Sequence, residues 1–69
     1  MRVTRYYSIE FDTYTGSDCP EYNFYHEAQA WEKYNSMELS ETGIVYKRLE
    51  KIIDCGDHYE YEFLARDAV

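Results

Sequence analysis

The residues best suited to metal binding or nucleophilic catalysis are His26, His58, Cys19 and Cys55. Neither histidine is followed three or four residues later by a His or Cys, so a metal site would have to be assembled entirely by folding. The cysteines form no CxxC motif, and a disulfide between them would require α-carbons within about 7 Å of each other. The serines lie in no nucleophile motif. We therefore predict no enzymatic activity, no catalytic residue, no metal, no cofactor and two free thiols.

Carboxylates are the most abundant ionisable groups in the chain. Fourteen Asp and Glu residues stand against seven Lys and Arg, which gives a net charge of −7. This charge repels phosphate backbones and anionic membranes and favours a basic protein partner. The acidic residues form two groups, and the members that we predict to contact a partner are Glu10, Asp12, Asp18, Asp54, Asp57, Glu60 and Glu62.

The spacing of Glu60 and Glu62 is compatible with imitation of a nucleic-acid backbone. On a strand their side chains would project from one face about 6.7 Å apart, which equals about two axial phosphate steps along one DNA strand. A solvated face that keeps the sheet soluble explains this pair alone better than mimicry does. Carboxylate pairs also arise by composition in so acidic a chain, so none is predicted to be a general acid or base.

Nine of the 69 residues are tyrosine. One helix covers only one face of a sheet, so some of these side chains must lie outside the core. Tyrosine gives a large contact area with few rotatable bonds, and we predict Tyr6 and Tyr14 in a partner interface. The alternative is that tyrosine is simply a solvent-tolerant strand residue. Because so small a core stabilises a domain only weakly, we also predict a homodimer through the open sheet face or an edge strand.

The first half of the chain predicts a strand and a helix. Alternating side chains predict a strand from Val3 to about Tyr14, and turn-forming residues at 15–20 predict a loop. Its buried face would carry Val3, Arg5, Tyr7, Ile9 and Phe11. From Asn23, a suitable N-cap, the spacing becomes that of a helix that ends near Glu38. The buried stripe of this helix would contain Phe24, Ala28, Trp31 and Asn35, with Trp31 as its anchor and Tyr34 and Met37 at its margin.

The second half of the chain predicts a β-hairpin. Residues 44–53 form a second strand whose imperfect alternation indicates a bulge, and residues 58–67 form a third strand after a tight connection. On the third strand we expect Tyr59, Tyr61, Phe63 and Ala65 to point inward and Glu60, Glu62 and Arg66 to point outward. The fold class is therefore α+β, in the order β-α-β-β, with one helix packed on a three-stranded mixed sheet and the third strand in its centre. Residues 1–69 form a single compact domain, and no apolar stretch long enough for a membrane span or a signal sequence is present, which indicates a cytoplasmic protein.

Residues 23–34 read NFYHEAQAWEKY. This segment resembles the capped helix of small acidic phage-encoded proteins, in which a cap, a Glu-Ala pair and an aromatic residue follow a first strand. Such proteins include inhibitors of bacterial defence, anti-CRISPR proteins among them, that occupy nucleic-acid-binding grooves with acidic surfaces. The resemblance implies an inhibitor that docks on a basic groove of a nucleic-acid-handling protein in the host cytoplasm and blocks it. An antitoxin or immunity-type protein would share this physics, and an assembly module that forms a homodimer through a tyrosine-rich sheet face is the alternative.

Overall fold

The computed structural model describes residues 3–16 and 21–69, which form four strands and one helix. These elements are β1 (Thr4–Thr13), β2 (Glu21–Phe24), α1 (Glu27–Ser36), β3 (Ile44–Asp54) and β4 (Tyr59–Ala68). The strands lie in one sheet in the order β2-β1-β3-β4. The predicted α+β class is confirmed. The predicted three-stranded mixed sheet is wrong, because the described sheet has four strands and all neighbouring strands pair antiparallel.

β2 is the strand that changes the topology. It consists of four residues that pair antiparallel with residues 7–10 of β1. Because β2 runs back along β1, the following helix returns towards the end of β1, and β3 starts there, where Ile44 pairs with Thr13. β3 is therefore the antiparallel neighbour of β1. The central position that was predicted for the last strand is occupied by β3, and β4 lies at the edge.

α1 begins at Glu27, whereas the sequence predicts a start at Asn23. Asn23 lies in β2, and the N-cap position is occupied by His26, whose side chain makes no capping hydrogen bond. The carboxylate of Glu27 in the first turn interacts favourably with the helix dipole. The helix ends at Ser36, slightly before the predicted end.

The hydrophobic core lies between α1 and one face of the sheet. The helix contributes the buried residues Ala30 and Tyr34, and the buried C-cap residue Met37 follows them at helical spacing. The sheet contributes the alternating residues Tyr7, Ile9 and Leu49. The predicted buried face of the first strand is confirmed at its two central apolar residues.

Trp31 is not the principal anchor of the helix. It is only partly buried, whereas Tyr34, predicted at the margin, is 2% exposed. The indole N–H of Trp31 donates a hydrogen bond to the Glu27 carboxylate at 3.1 Å, and its ring meets the Tyr34 ring edge-on with centroids 5.8 Å apart. The predicted stripe is rotated away from the real one, because Ala28 and Asn35 are exposed.

Tyr34 connects α1 to two strands. Its phenol donates a hydrogen bond of 2.6 Å to Oδ2 of Asp67 in β4. The buried Nζ of Lys47 in β3 donates to the Tyr34 carbonyl at 2.7 Å and lies 4.1 Å from the centroid of the ring. Burial, together with the hydrogen bond to Asp67, raises the pKa of Tyr34 well above its ordinary value. The phenol therefore stays protonated and keeps donating to Asp67.

The helix is much shorter than the sheet. Its ten residues span about 15 Å at 1.5 Å per residue, whereas the eleven residues of β3 span about 36 Å at 3.3 Å per residue. The backbone of α1 packs against β1, β2 and β3, and the chain measures 45 × 24 × 15 Å along its principal axes. The turn between β3 and β4 therefore lies at an end of the sheet that the helix does not cover. No helix within the described ranges is long and apolar enough to cross a membrane.

A β-bulge at Leu64 reverses the alternation of β4. Leu49 pairs with Ala65 and Glu50 pairs with Phe63, so Leu64 is an extra residue without a partner in β3. Leu64 and Ala65 pack against the core. The other three residues that were predicted to point inward, Tyr59, Tyr61 and Phe63, lie instead on the face away from the helix. Glu60 and Glu62, predicted outward, lie on the helix side of the sheet and are exposed there.

The bulge that was expected within residues 44–53 is found near the start of β3. Thr13 pairs with Ile44 and Asp12 pairs with Tyr46, so Val45 has no partner in β1. This second irregularity shifts the register between β1 and β3 by one residue at the end of the sheet farthest from the β3–β4 turn.

Candidate functional site

One face of the sheet is not covered by the helix, and we call it the open face. Its side chains alternate with the core residues Ile9 and Leu49 along the strands. The residues of β1 and β2 on this face are Thr4, Tyr6, Ser8, Glu10, Asp12, Glu21 and Asn23. The residues of β3 and β4 on this face are Tyr46, Arg48, Glu50, Ile52, Asp54, Tyr59, Tyr61, Phe63, Arg66 and Ala68.

An aromatic cluster, defined as Tyr6, Ile52, Tyr59, Tyr61 and Phe63, occupies the part of the open face nearest the β3–β4 turn. Tyr6, Ile52 and Tyr61 lie opposite one another in a row across three strands. Ile52 is buried beneath its neighbours, but Tyr59, Tyr61 and Phe63 expose 53%, 64% and 60% of their surface. The rings of Tyr59 and Tyr61 are tilted by 30° with centroids 6.4 Å apart. Burial and the neighbouring Tyr59 raise the pKa of Tyr6.

Charged side chains continue the open face beyond the aromatic cluster. Arg48 forms ion pairs with Glu10 and with Glu50, and its Nε lies 3.0 Å from Oε1 of Glu50. The Arg48 guanidinium lies 6.0 Å from the centroid of the Phe63 ring. Beneath this layer, the hydroxyl of Ser8 is buried and has no hydrogen-bond partner among the described residues, which is a destabilising feature. The open face therefore combines an apolar end with a zone that carries both signs of charge.

The two tyrosines predicted in an interface lie in different places. Tyr6 belongs to the aromatic cluster, whereas Tyr14 is 63% exposed beyond the opposite end of β1, where its N–H donates to the Gly43 carbonyl at 2.9 Å. Thr13, the last residue of β1, directly precedes Tyr14. It lies seven residues after Tyr6 along the strand, which corresponds to about 24 Å at 3.4 Å per residue. Of these two tyrosines, Tyr6 therefore belongs to the aromatic cluster and Tyr14 does not.

Glu10 and Asp12 of the first predicted acidic group lie on the open face. Glu10 is engaged by Arg48, and Asp12 is exposed near the end of β1. Asp18, like Cys19, lies outside the described residues.

The second predicted acidic group surrounds the β3–β4 turn. Oδ1 of Asp54 accepts a hydrogen bond from the Gly56 N–H at 2.9 Å. Oδ1 of Asp57 lies 2.7 Å from Nδ1 of His58, and Oε2 of Glu60 lies 3.3 Å from Nε2 of the same ring. The hydrogen bonds to these two carboxylates raise the pKa of His58. Glu62 lies opposite Lys51 on the neighbouring strand.

The two acidic groups do not form one surface. Asp54 pairs with Thr4 at one end of β1, and Asp12 lies eight residues further along that strand, about 27 Å away at 3.4 Å per residue. Glu60 and Glu62 also lie on the helix side of the sheet, whereas Glu10 and Asp12 lie on the open face. A single partner groove would have to contact both ends and both faces to use all of these carboxylates.

Two sets of residues were missed by the sequence interpretation. Tyr59, Tyr61 and Phe63 were expected in the core, and only the bulge at Leu64 brings them to the open face. Cys55 and His58 meet in the β3–β4 turn beside Glu60. The sequence does contain a signal for this pair, because Cys55 precedes His58 by three residues. This spacing is missed when ligands are sought only on the C-terminal side of each histidine.

Resemblance to known proteins gives no guide to the function of either set of residues. No protein-family model matches this chain, and no curated protein and no solved structure matches it either.

Proposed function

We propose that this chain is a non-enzymatic assembly module that forms a homodimer through the open face of its sheet. The observation that carries the proposal is the aromatic cluster, in which Tyr59, Tyr61 and Phe63 each expose more than half of their surface. Contiguous exposed apolar side chains mark interaction sites on small soluble domains, and aromatic residues are enriched in the centre of interfaces. The charged zone around Arg48 would form the polar rim of this interface.

A second copy of the chain is the occupant that the open face fits best. A two-fold interface brings the same patch together from both subunits, so it has to be complementary to itself. The open face meets this condition because it carries aromatic rings for mutual packing and both signs of charge, in Arg48 and Arg66 and in Glu10 and Glu50. Two sheets packed face to face also enclose a second core, which a domain with one ten-residue helix lacks.

The dimer is tested by measuring mass across a concentration series. We expect the parent protein to be a dimer at micromolar concentration in analytical ultracentrifugation or light scattering. A double substitution, Tyr61→Glu and Phe63→Glu, should give a monomer, because it places four carboxylates in the buried centre of the interface. Circular dichroism should show that the variant remains folded, because both side chains are exposed in the monomer.

The matched control replaces two exposed tyrosines that lie outside the aromatic cluster. Tyr14→Glu and Tyr25→Glu remove two aromatic rings that are 63% and 74% exposed and add the same charge. This control should remain a dimer. A parent protein that is monomeric up to millimolar concentration, or equal dissociation of both double variants, would contradict the proposal.

A second candidate function is an acidic inhibitor that docks on a basic groove. The supporting observation is the β3–β4 turn, where Asp54, Asp57 and Glu60 are concentrated at an end of an elongated molecule that the helix leaves uncovered. Such a narrow, negatively charged end has the shape and the sign to enter a groove that holds a phosphate backbone. In this case the aromatic cluster would be the apolar flank of the same contact.

The inhibitor function is tested by capture and charge reversal. We expect affinity capture from a bacterial lysate at low salt to recover a basic nucleic-acid-binding protein. Asp57→Lys with Glu62→Lys should then slow association, whereas Glu38→Lys with Glu41→Lys, which are exposed far from the turn, should have a smaller effect. The comparison is made at about 0.15 M salt, where the Debye length is about 8 Å. Equal losses from both pairs, or binding that does not weaken with salt, would exclude this function.

A further inference from the structure

The turn between β3 and β4 gathers three different metal-binding side chains. A sulfur atom of Cys55, a ring nitrogen of His58 and a carboxylate oxygen of Glu60 all lie within 4.8 Å of one another. We propose that Cys55, His58 and Glu60 form a zinc-binding site, with the fourth position of the ion open to water or to a donor from a partner. The site is separate from the aromatic cluster and does not depend on the dimer.

The distances between the donor atoms support this proposal. Zinc bonds are about 2.3 Å long to sulfur, about 2.0 to 2.1 Å to nitrogen and about 2.0 to 2.2 Å to oxygen. In a tetrahedral site these bond lengths place the ligand atoms about 3.6 Å apart for sulfur and oxygen, and about 3.4 Å apart for nitrogen and oxygen. Sγ of Cys55 lies 3.5 Å from Oε2 of Glu60, and Nε2 of His58 lies 3.3 Å from the same oxygen. Two edges of the tetrahedron are therefore already close to the required length.

Asp57 orients the His58 ring for this role. Its Oδ1 lies 2.7 Å from Nδ1 of His58, and Nε2 lies on the side of the ring that faces Glu60. With Nδ1–H donating to Asp57, the neutral ring would offer its Nε2 lone pair to an ion bound beside Glu60. A carboxylate that holds the second nitrogen of a ligating histidine is a recurrent feature of protein zinc sites, and it is independent of the three ligands themselves.

The backbone of the turn fixes the spacing of the ligands. Gly56 has a φ of 91°, which favours glycine, and its N–H is held by the Asp54 carboxylate. The Cys55 N–H donates to the His58 carbonyl at 2.9 Å, which closes the turn between the first two ligands. Glu60 lies in β4, two residues after His58, so its side chain is on the same side of the chain as that of His58.

The chemistry of the donor set favours zinc over the common oxygen-binding cations. Thiolate and imidazole ligands suit Zn²⁺, whereas Ca²⁺ and Mg²⁺ prefer oxygen ligands alone. On binding, the Cys55 thiol would release its proton to solvent and coordinate as the thiolate. The side chains of His58 and Glu60 are 56% and 61% exposed, so the ion has direct access.

The site is tested with Zn²⁺ and with Co²⁺ as a spectroscopic probe on the full, reduced chain. We expect one Zn²⁺ per chain at micromolar concentration in competition with a chelating indicator. The Co²⁺ complex should show a thiolate-to-cobalt charge-transfer band that disappears in Cys55→Ser and remains in Cys19→Ser. His58→Gln and Glu60→Gln should each weaken Zn²⁺ binding at least tenfold, and Asp57→Asn should weaken it by about 10- to 100-fold.

His26→Gln provides the matched control, because it removes the other histidine of the chain, which is also exposed. This variant should bind Zn²⁺ as the parent does, and circular dichroism should show that every variant remains folded. Absence of Zn²⁺ binding by the parent, a charge-transfer band that survives in Cys55→Ser, or equal weakening by His26→Gln and His58→Gln would overturn the proposal.

Discussion

Replacing Tyr34 with alanine should leave the domain largely unfolded at room temperature. Truncation of a buried aromatic side chain costs about 3–5 kcal/mol, which equals the entire stability expected of a domain of this size. The substitution also removes the donor to Asp67 and the ring beneath Lys47, so the side-chain contacts of residue 34 with β3 and β4 are lost. Circular dichroism with urea or heat denaturation measures the effect.

Trp31→Ala is the informative comparison. Because Trp31 is only partly buried, we expect its truncation to cost about 1–2 kcal/mol and to leave a cooperative transition. A larger loss of stability from Trp31→Ala than from Tyr34→Ala would mean that the indole, and not the phenol, anchors the helix.

Replacing Lys47 with glutamate should also unfold the domain. Lys47 is 7% exposed, and its ammonium donates to the Tyr34 carbonyl near the C-terminal end of α1. Loss of a hydrogen bond from a charged donor costs about 1.5–3 kcal/mol, and a carboxylate at this point would face a carbonyl oxygen and the negative end of the helix dipole. The combined cost exceeds the stability of so small a domain.

Lys47→Met separates the hydrogen bond from the packing of the side chain. It keeps an unbranched apolar stem, so we expect a folded protein whose free energy of unfolding is lower by about 1–3 kcal/mol in urea denaturation. Parental stability in Lys47→Glu would show that the side chain at this position turns to solvent and that its bond to Tyr34 contributes nothing.

The parts of the fold that could be predicted are those with a clear local pattern. β1 alternates apolar and polar residues, and its buried face was identified correctly at Tyr7 and Ile9. β2 could not be recognised, because Glu21, Tyr22 and Asn23 are exposed and the strand has only four residues. Its existence depends on hydrogen bonds from β1, which are long-range and leave no periodicity in the sequence.

The helix shows how a cap residue misleads a sequence interpretation. Asn23 has the right side chain for an N-cap, but pairing with Ser8 in the sheet takes precedence over its local preference. Moving the start of the helix from Asn23 to Glu27 changes which residues face the sheet. Ala30 and Tyr34 then enter the core, and Trp31 moves to its margin.

The candidate sites were harder to predict than the core. One extra residue, Leu64, decides whether Tyr61 and Phe63 point to the helix or away from it, and alternation by itself does not reveal a bulge. The abundance of acidic residues is a property of composition and can be read directly from the sequence. Their distribution over two ends and two faces is a property of strand register, which the sequence alone does not contain.

The position of β4 at the edge of the sheet has a consequence for the handling of the protein. The outer backbone of β4 pairs with no other described strand over its ten residues, so it offers hydrogen bonds to any extended chain. Charged side chains at Glu60, Glu62, Arg66 and Asp67 oppose this kind of growth while they are ionised. Lowering the pH reduces the net charge of −7 and with it the repulsion between copies of an aromatic strand. Concentrated samples acidified until the net charge approaches zero should therefore precipitate by strand addition while the helix and the core are still folded.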